Sequence, residues 1–159
     1  MKIKPQTAIL LVLAFFIAGI TATSAAGVWT TKTTKTPAKL TGPQYSDTYD
    51  PADIRGSYTF SDISNFYQIP LEDLAAAFGV EESRAAAFKC KDLESIYENE
   101  LYEVGTASVR LFAAYYLGLS YSSAEETYLP DTAAEILIKK GALTQEQRAY
   151  LESHTIPAS

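Results

Sequence analysis

Three aspartates recur at every third position of a loop-like segment: Asp47, Asp50 and Asp53. Calcium prefers oxygen ligands, and carboxylates gathered on one loop can supply them. The spacing differs from that of an EF-hand, because no glycine and no terminal glutamate follow in register. The segment predicts either a calcium site or a group of solvated turn and capping residues, and we favour the second. Arg55, close to Asp53, predicts a local ion pair.

Cys90 and His154 are the only cysteine and histidine of the chain. Lys89 and Lys91 could lower the pKa of the Cys90 thiol and suit it to redox chemistry, whereas a half-buried small hydrophobe is the default role. No Ser or Asp is arranged around His154 as a nucleophilic system. One cysteine excludes an internal disulfide and Cys-rich metal sites, and no phosphate loop or zinc motif is present. We therefore predict no enzymatic activity and no cofactor.

Charge divides the chain into two regions. Residues 1–41 contain five lysines and no acidic residue, whereas residues 42–159 contain eight Lys+Arg and all 19 Asp+Glu, a net charge of −11. Phosphate binding depends on Lys and Arg, so the acidic region argues against nucleic acid as the main partner.

An apolar, uncharged segment follows Lys2 and Lys4 and predicts contact with a membrane. As a helix, residues 8–29 would be about 33 Å long at about 1.5 Å per residue, enough to cross a hydrocarbon core of about 30 Å. Residues 1–29 are predicted to be an uncleaved signal-anchor helix. A cleaved signal peptide is the alternative, since small residues at positions 22–26 suit a signal peptidase.

The rest of the chain is predicted to lie outside the cytoplasm. Residues 30–43 are rich in Thr, Lys and Pro and predict an extended, solvated tether. Residues 44–159 form the acidic domain. With an uncleaved anchor, the protein is a single-pass protein of the cell membrane, and with a cleaved signal it is secreted.

Helix starts and stops are frequent after residue 44, and no strong strand pattern appears, so the predicted fold is all-α. Thr59 is predicted to cap one helix and Thr144 to open another with a capping box. Thr106 and Asp131 are predicted to cap two more. The predicted helical segments after the first are Leu71–Phe78, Glu81–Ala87, Asp92–Glu98, Ala107–Leu117, Thr132–Lys140 and 145–153.

The first two helices have the spacing of a helix-turn-helix, with a turn at Ile69-Pro70. DNA binding through the second helix is not expected, because Glu72 and Asp73 would repel phosphates. The hairpin is therefore predicted to be a scaffold within a small bundle of short helices. Thr59–Leu71 and Ser108–Tyr121 loosely share a cap, an aromatic stripe and a turn. Two related hairpins are the alternative to unrelated ones, and we favour unrelated hairpins.

All 11 tyrosines lie after Pro43, and tyrosine is favoured at protein interfaces because its ring buries area while its hydroxyl stays paired. The alternative is that these rings fill a small core. The predicted partner-binding residues are Tyr49, Asp53, Arg55, Tyr58, Tyr115 and Tyr116.

Several segments resemble a small uncharacterised, membrane-anchored module of anaerobic bacteria, and also segments appended to membrane proteins with 4Fe–4S ferredoxin motifs. The resemblance covers about residues 45–142 and rests on Tyr49–Ile63, Ile69–Leu74, Ala77–Gly79, Gly105–Phe112 and Thr127–Asp131. It implies a single-span anchored protein and brings no catalytic residues. This chain lacks the Cys clusters of such partners, so the resemblance implies an accessory without its own redox centre.

The leading functional prediction is a non-enzymatic, membrane-tethered interaction module outside the cytoplasm. It would contact the bilayer through residues 8–29 and dock on a membrane protein of an electron-transfer or transport complex. The alternative is a secreted protein that binds a small ligand or an ion through Asp47, Asp50 and Asp53.

Overall fold

A computed structural model describes residues 12, 14–16, 35–45, 47–97, 102–122 and 126–158. The chain divides into two compact units, Met1–Lys35 and Thr36–Ser159. The predicted signal-anchor helix lies outside the described residues except at positions 12 and 14–16, which are helical. Among the described residues, no helix combines the length and the apolar character needed to cross a membrane.

The second unit is mostly helical, which confirms the all-α class. Two 3₁₀ helices, Pro51–Asp53 and Cys90–Ser95, accompany the α-helices. Two-residue strands β1 (Leu129–Pro130) and β2 (Thr155–Ile156) pair in parallel. The described α-helices of this unit are α1 Phe60–Tyr67, α2 Leu71–Ala77, α3 Glu82–Ala85, α4 Thr106–Tyr116, α5 Asp131–Lys140 and α6 Gln145–Ser153.

Local sequence signals set the start of two helices. The Thr59 hydroxyl accepts from the Asp62 amide at 3.1 Å, and the Asp62 carboxylate accepts from the Thr59 amide at 2.9 Å. The same reciprocal pair joins Thr144 and Gln147. Both predicted caps are therefore confirmed, because each satisfies free amides of the first helical turn.

Two other predicted caps are wrong by one residue. Thr106 is the first residue of α4 and Gly105 is its cap. Asp131 is the first residue of α5, after Pro130, which has no amide to donate. The Asp131 carboxylate instead accepts from the amides of Thr132 and Ala158, so it holds the C-terminal segment beside α5.

The folded unit begins at Thr36 rather than at residue 44. Pro37 is buried. The Asp50 amide donates to the Ala38 carbonyl at 2.8 Å, and the Ala38 amide donates to the Asp53 carboxylate at 2.8 Å. Residues 36–43, predicted to belong to the solvated tether, are thus part of the domain.

The α1–α2 hairpin forms as predicted, with a left-handed turn residue at Gln68 (φ 55°). Gly79 ends the second helix with φ 63°, a conformation that glycine adopts without steric cost. The second hairpin takes a different form. After α4 the chain turns at Gly118 (φ 69°), and the described residues between it and β1 contain no helix.

Aromatic rings occupy the centre of the core. Phe60 of α1 packs against Phe78 at 5.8 Å and against Phe88 at 5.3 Å between ring centroids. Phe78 in turn packs edge-on against Phe112 of α4 at 5.5 Å. Such contacts add about 1 kcal/mol each beyond the area they bury. This chain of rings joins the hairpin to α4.

A buried carboxylate ties three helices together. Asp73 of α2 is 5% exposed and accepts from Lys140 Nζ at 2.7 Å and from the Tyr116 hydroxyl at 2.9 Å. Burial and the bond to Asp73 raise the pKa of Tyr116 to about 12, so this hydroxyl remains a donor at neutral pH. The Thr132 hydroxyl also donates to the Ala77 carbonyl, which adds a second polar link between α2 and α5.

Removing residues 36–43 tests where the domain begins. A fragment of residues 44–159 should unfold at lower temperature than one of residues 36–159, because it loses the buried Pro37 and the hydrogen bonds of Ala38. We expect a loss of about 2 kcal/mol in the free energy of unfolding and a melting temperature lower by roughly 5–10 °C. Circular dichroism measures both. Equal melting temperatures would place residues 36–43 outside the cooperative unit.

Replacing Asp73 tests the link between the helices. Asp73→Ala should lower the free energy of unfolding by about 2 kcal/mol, because Tyr116 and Lys140 lose their common acceptor. Urea denaturation measures this difference. Glu72→Ala is the matched control, since Glu72 is the exposed neighbour on the same helix. The same loss in both variants would show that the effect is general to acidic residues of α2.

Candidate functional site

The three aspartates of the predicted calcium site take separate partners. Asp47 pairs with Lys39 Nζ at 2.6 Å, and Asp50 accepts from the Ala52 amide at 2.9 Å. Asp53 accepts from the Ala38 amide and lies 3.4 Å from Arg55. Within the described part of the chain, no group of three or more His, Cys, Asp or Glu side chains is placed to hold a metal ion. The three carboxylates act as turn, cap and ion-pair residues.

The predicted ion pair between Asp53 and Arg55 is present, and both side chains are partly exposed. Tyr49 lies nearby and is half-buried. Its ring packs edge-on against Phe66 at 5.2 Å, with Lys39 Nζ 5.7 Å from its centroid. The surface formed by Tyr49, Asp53 and Arg55 is therefore partly accessible to a partner. The Tyr49 ring, however, is already packed against Phe66.

The other predicted interface tyrosines lie deeper. Tyr58 is 0% exposed, so its side chain offers no area to a partner, and this part of the predicted surface is corrected. Tyr115 is also buried, with its ring 6.4 Å from that of Tyr150. Tyr116 is half-buried and bonded to Asp73. The rings of these tyrosines help to fill the core, which was the alternative expected from the sequence. Only Tyr116 among the three also joins two helices through its hydroxyl.

Cys90 is fully buried, and burial raises the pKa of its thiol to about 12. A redox thiol needs an accessible thiolate, and this environment disfavours it. The neighbouring lysines are exposed and do not offset the burial. Cys90 serves as a small core residue.

His154 closes the end of α6. Its ring stacks on Tyr150 at 3.9 Å between centroids, with an interplanar angle of 6°. Its Nδ1 lies 3.0 Å from the Tyr150 carbonyl and 2.8 Å from the Ser153 hydroxyl. Ser153 also bonds to the carbonyls of its own helix, so this pair terminates the helix rather than forming a nucleophile.

An apolar groove of about 340 Å³ lies between α5 and α6. Ala134 and Leu151 form its buried floor, and Ile138 forms an exposed wall. Ala134 and Ile138 share one side of α5 because they are four residues apart. Ile138 is 53% exposed, the most exposed large apolar side chain described in the folded unit.

Two contacts place α6 beside α5 and so form the groove. The β1–β2 pair aligns Leu129 with Thr155, directly after α6. The Tyr150 hydroxyl donates to the Thr127 carbonyl and accepts from the Thr127 amide, both at 3.1 Å. The segment before α5 and the second half of α6 are thus held together.

Charged residues surround the groove, and most are acidic. They are Asp131, Glu135, Arg148 and Glu152. Glu135 forms an exposed ion pair with Lys139 at 3.2 Å, a contact of little energetic consequence in water. The lining itself thus has three acids against one base.

A second depression of about 720 Å³ is polar and open. Glu81, Ser83, Arg84 and Asp92 contribute to its wall. No residue in its lining is an exposed large hydrophobic. The groove between α5 and α6 is therefore the stronger candidate for binding a partner.

The chain matches no protein-family model, no curated protein and no solved structure. The resemblance to anchored modules of anaerobic bacteria stays a prediction, and the candidate groove depends on its own geometry.

The sequence interpretation placed the partner surface on tyrosines and missed Ile138. The available signal was the run Ile136-Leu137-Ile138 in a ten-residue amphipathic helix. Successive residues of a helix point about 100° apart, so one narrow face cannot bury all three. Which one is left exposed depends on how α5 packs, and that information is not local.

The burial of Cys90 predicts an inert thiol. The native chain should react with a soluble disulfide reagent such as DTNB at least 100-fold more slowly than the chain in 6 M guanidinium. Absorbance at 412 nm follows the reaction. As a control for the flanking lysines, Lys89→Gln with Lys91→Gln should leave the native rate unchanged. Rapid labelling of the native chain would contradict the placement of Cys90 in the core.

Proposed function

We propose that this protein is a membrane-tethered, non-enzymatic interaction module that lies outside the cytoplasm and serves as an accessory to a membrane electron-transfer or transport complex. The observation that carries the proposal is the exposure of Ile138 on the wall of an apolar groove. A large apolar side chain left in water at a concave site favours a role in association, because docking removes it from solvent.

The N-terminal sequence supports the tether. Residues 8–29 contain no charged side chain. Phe15, one of the few residues described in the first unit, is helical and 80% exposed. Exposed aromatic and aliphatic side chains in a helical, uncharged segment favour contact with lipid.

The described domain supports binding over catalysis. The side chains best suited to chemistry serve packing: Cys90 lies in the core and His154 stacks on Tyr150. Asp47, Asp50 and Asp53 are engaged in separate turns and ion pairs. The groove, in contrast, combines a buried apolar floor with a charged rim, the usual anatomy of a protein interface.

The tether is tested by fractionation of the full chain. We expect it to remain with membranes after washing with sodium carbonate at pH 11, and its N-terminus to be intact by mass spectrometry. A mature chain that begins near Ala25 or Gly27 and is recovered from the medium would overturn the membrane tether and favour secretion.

The docking site is tested by photo-crosslinking in intact membranes. The variant Ile138→p-benzoylphenylalanine should form an adduct with one membrane protein, and the same substitution at exposed Glu82 should not. Excess untagged wild-type chain should compete the adduct away, whereas untagged Ile138→Asp chain should fail to compete. Competition by both chains would show that the groove does not carry the interaction.

A further inference from the structure

We propose that the groove between α5 and α6 binds an amphipathic helix of the partner, and that this helix presents aliphatic side chains to Ile138 between flanking Lys or Arg residues. This inference rests on the proposed function, because it names the chemistry of the partner that the module would bind.

The size and position of the groove suit the apolar side chains of a helical ligand. Its floor and one wall come from Ala134, Ile138 and Leu151, which lie on two neighbouring helices. A volume of about 340 Å³ accommodates aliphatic side chains rather than a domain. Helices that bind in such grooves use apolar anchors at i, i+3 or i+4, a spacing that keeps them on one face.

The charged residues around the groove indicate the charge that a ligand should have. Asp131, Glu135 and Glu152 line the groove against one base of the lining, Arg148. Lys139 pairs with Glu135 at the edge of the groove, so acids exceed bases there by one. The whole region from residue 42 carries a net charge of −11, which adds a long-range negative potential. A helix with basic residues beside its apolar anchors would be attracted and oriented, whereas an acidic helix would be repelled.

Two other occupants are disfavoured. A second copy of this chain would bring the same excess of acids to the interface, so it lacks the charge complementarity of a basic ligand. The basic segment 30–35 of this chain has the right charge but consists of Thr and Lys. It offers no aliphatic anchor for Ile138.

Peptide binding to the full chain tests the inference directly. The chain is reconstituted in phosphatidylcholine nanodiscs, and empty nanodiscs report binding to lipid. The probes are fluorescent 16-residue alanine-based helices with Leu at two positions four apart. The first has Lys at four flanking positions, the second has Glu there, and the third keeps Lys but has Ser for Leu.

We expect the Lys–Leu peptide to bind at least tenfold more tightly than either of the others, measured by fluorescence anisotropy. Its affinity should fall at least threefold between 50 mM and 500 mM NaCl, because salt screens the exposed rim. Equal binding of the Lys–Leu and Glu–Leu peptides would overturn the charge assignment. Failure of all three peptides to bind would overturn the helix-binding groove.

Variants locate the binding. Ile138→Ser should weaken the Lys–Leu peptide at least fivefold, and Glu135→Gln with Glu152→Gln should reduce its preference over the Glu–Leu peptide. Glu81→Gln with Glu82→Gln is the matched control, because it removes two exposed acids outside the groove. Thermal melting confirms that each variant is folded. Unchanged binding by folded Ile138→Ser would place the site elsewhere.

The two proposals fail in different ways. Crosslinking at position 138 could identify a membrane partner that wild-type chain competes away, while the peptides show no charge preference. This result would support the interaction module and contradict the basic helix. Alternatively, the Lys–Leu peptide could bind in the groove while no membrane partner is found. This result would support the preference of the groove for a basic helix and contradict docking to a membrane protein.

Discussion

The carboxylate of Asp73, buried between Lys140 and Tyr116, holds the helical unit in its observed arrangement. An ionised group in a protein interior must be paired and hydrogen-bonded, because the loss of water is otherwise too costly. Three helices meet this requirement together: α2 supplies the acid, α4 the hydroxyl and α5 the ammonium group. Together with the buried side chains of Ala133 and Leu137, this bond turns one side of α5 toward the core, and Ile138 lies on the side that faces the groove.

Features that depend on neighbouring residues could be predicted from the sequence, and those that depend on distant residues could not. The capping boxes at Thr59 and Thr144 involve residues three apart, so their chemistry is visible in the sequence. The burial of Asp73 could not be predicted in this way, because its partner Lys140 lies 67 residues away. The β1–β2 pair is only two residues long on each side, too short for a strand pattern.

The positions of the tyrosines also depend on distant residues and could not be predicted from the sequence. Their number favoured a binding surface, yet Tyr58 and Tyr115 lie in the core and Tyr150 fastens α6 to Thr127. A small domain needs large side chains to fill its interior, and a ring with a hydroxyl also joins segments by hydrogen bonds. Abundance of an interface-prone residue type therefore says little about where the interface is. Among the described residues of the folded unit, the most exposed large apolar side chain is Ile138, and isoleucine as a residue type does not indicate an interface.

The proposed partner would cover the groove between α5 and α6. Hydrogen–deuterium exchange of the full chain, free and in its native membrane complex, measures this most directly. We expect slower exchange on binding for residues 131–140 and 145–153, with little change in residues 47–55. Protection confined to residues 47–55, with exchange in α5 and α6 unchanged, would contradict this expectation and return the interface to the face around Tyr49 and Arg55.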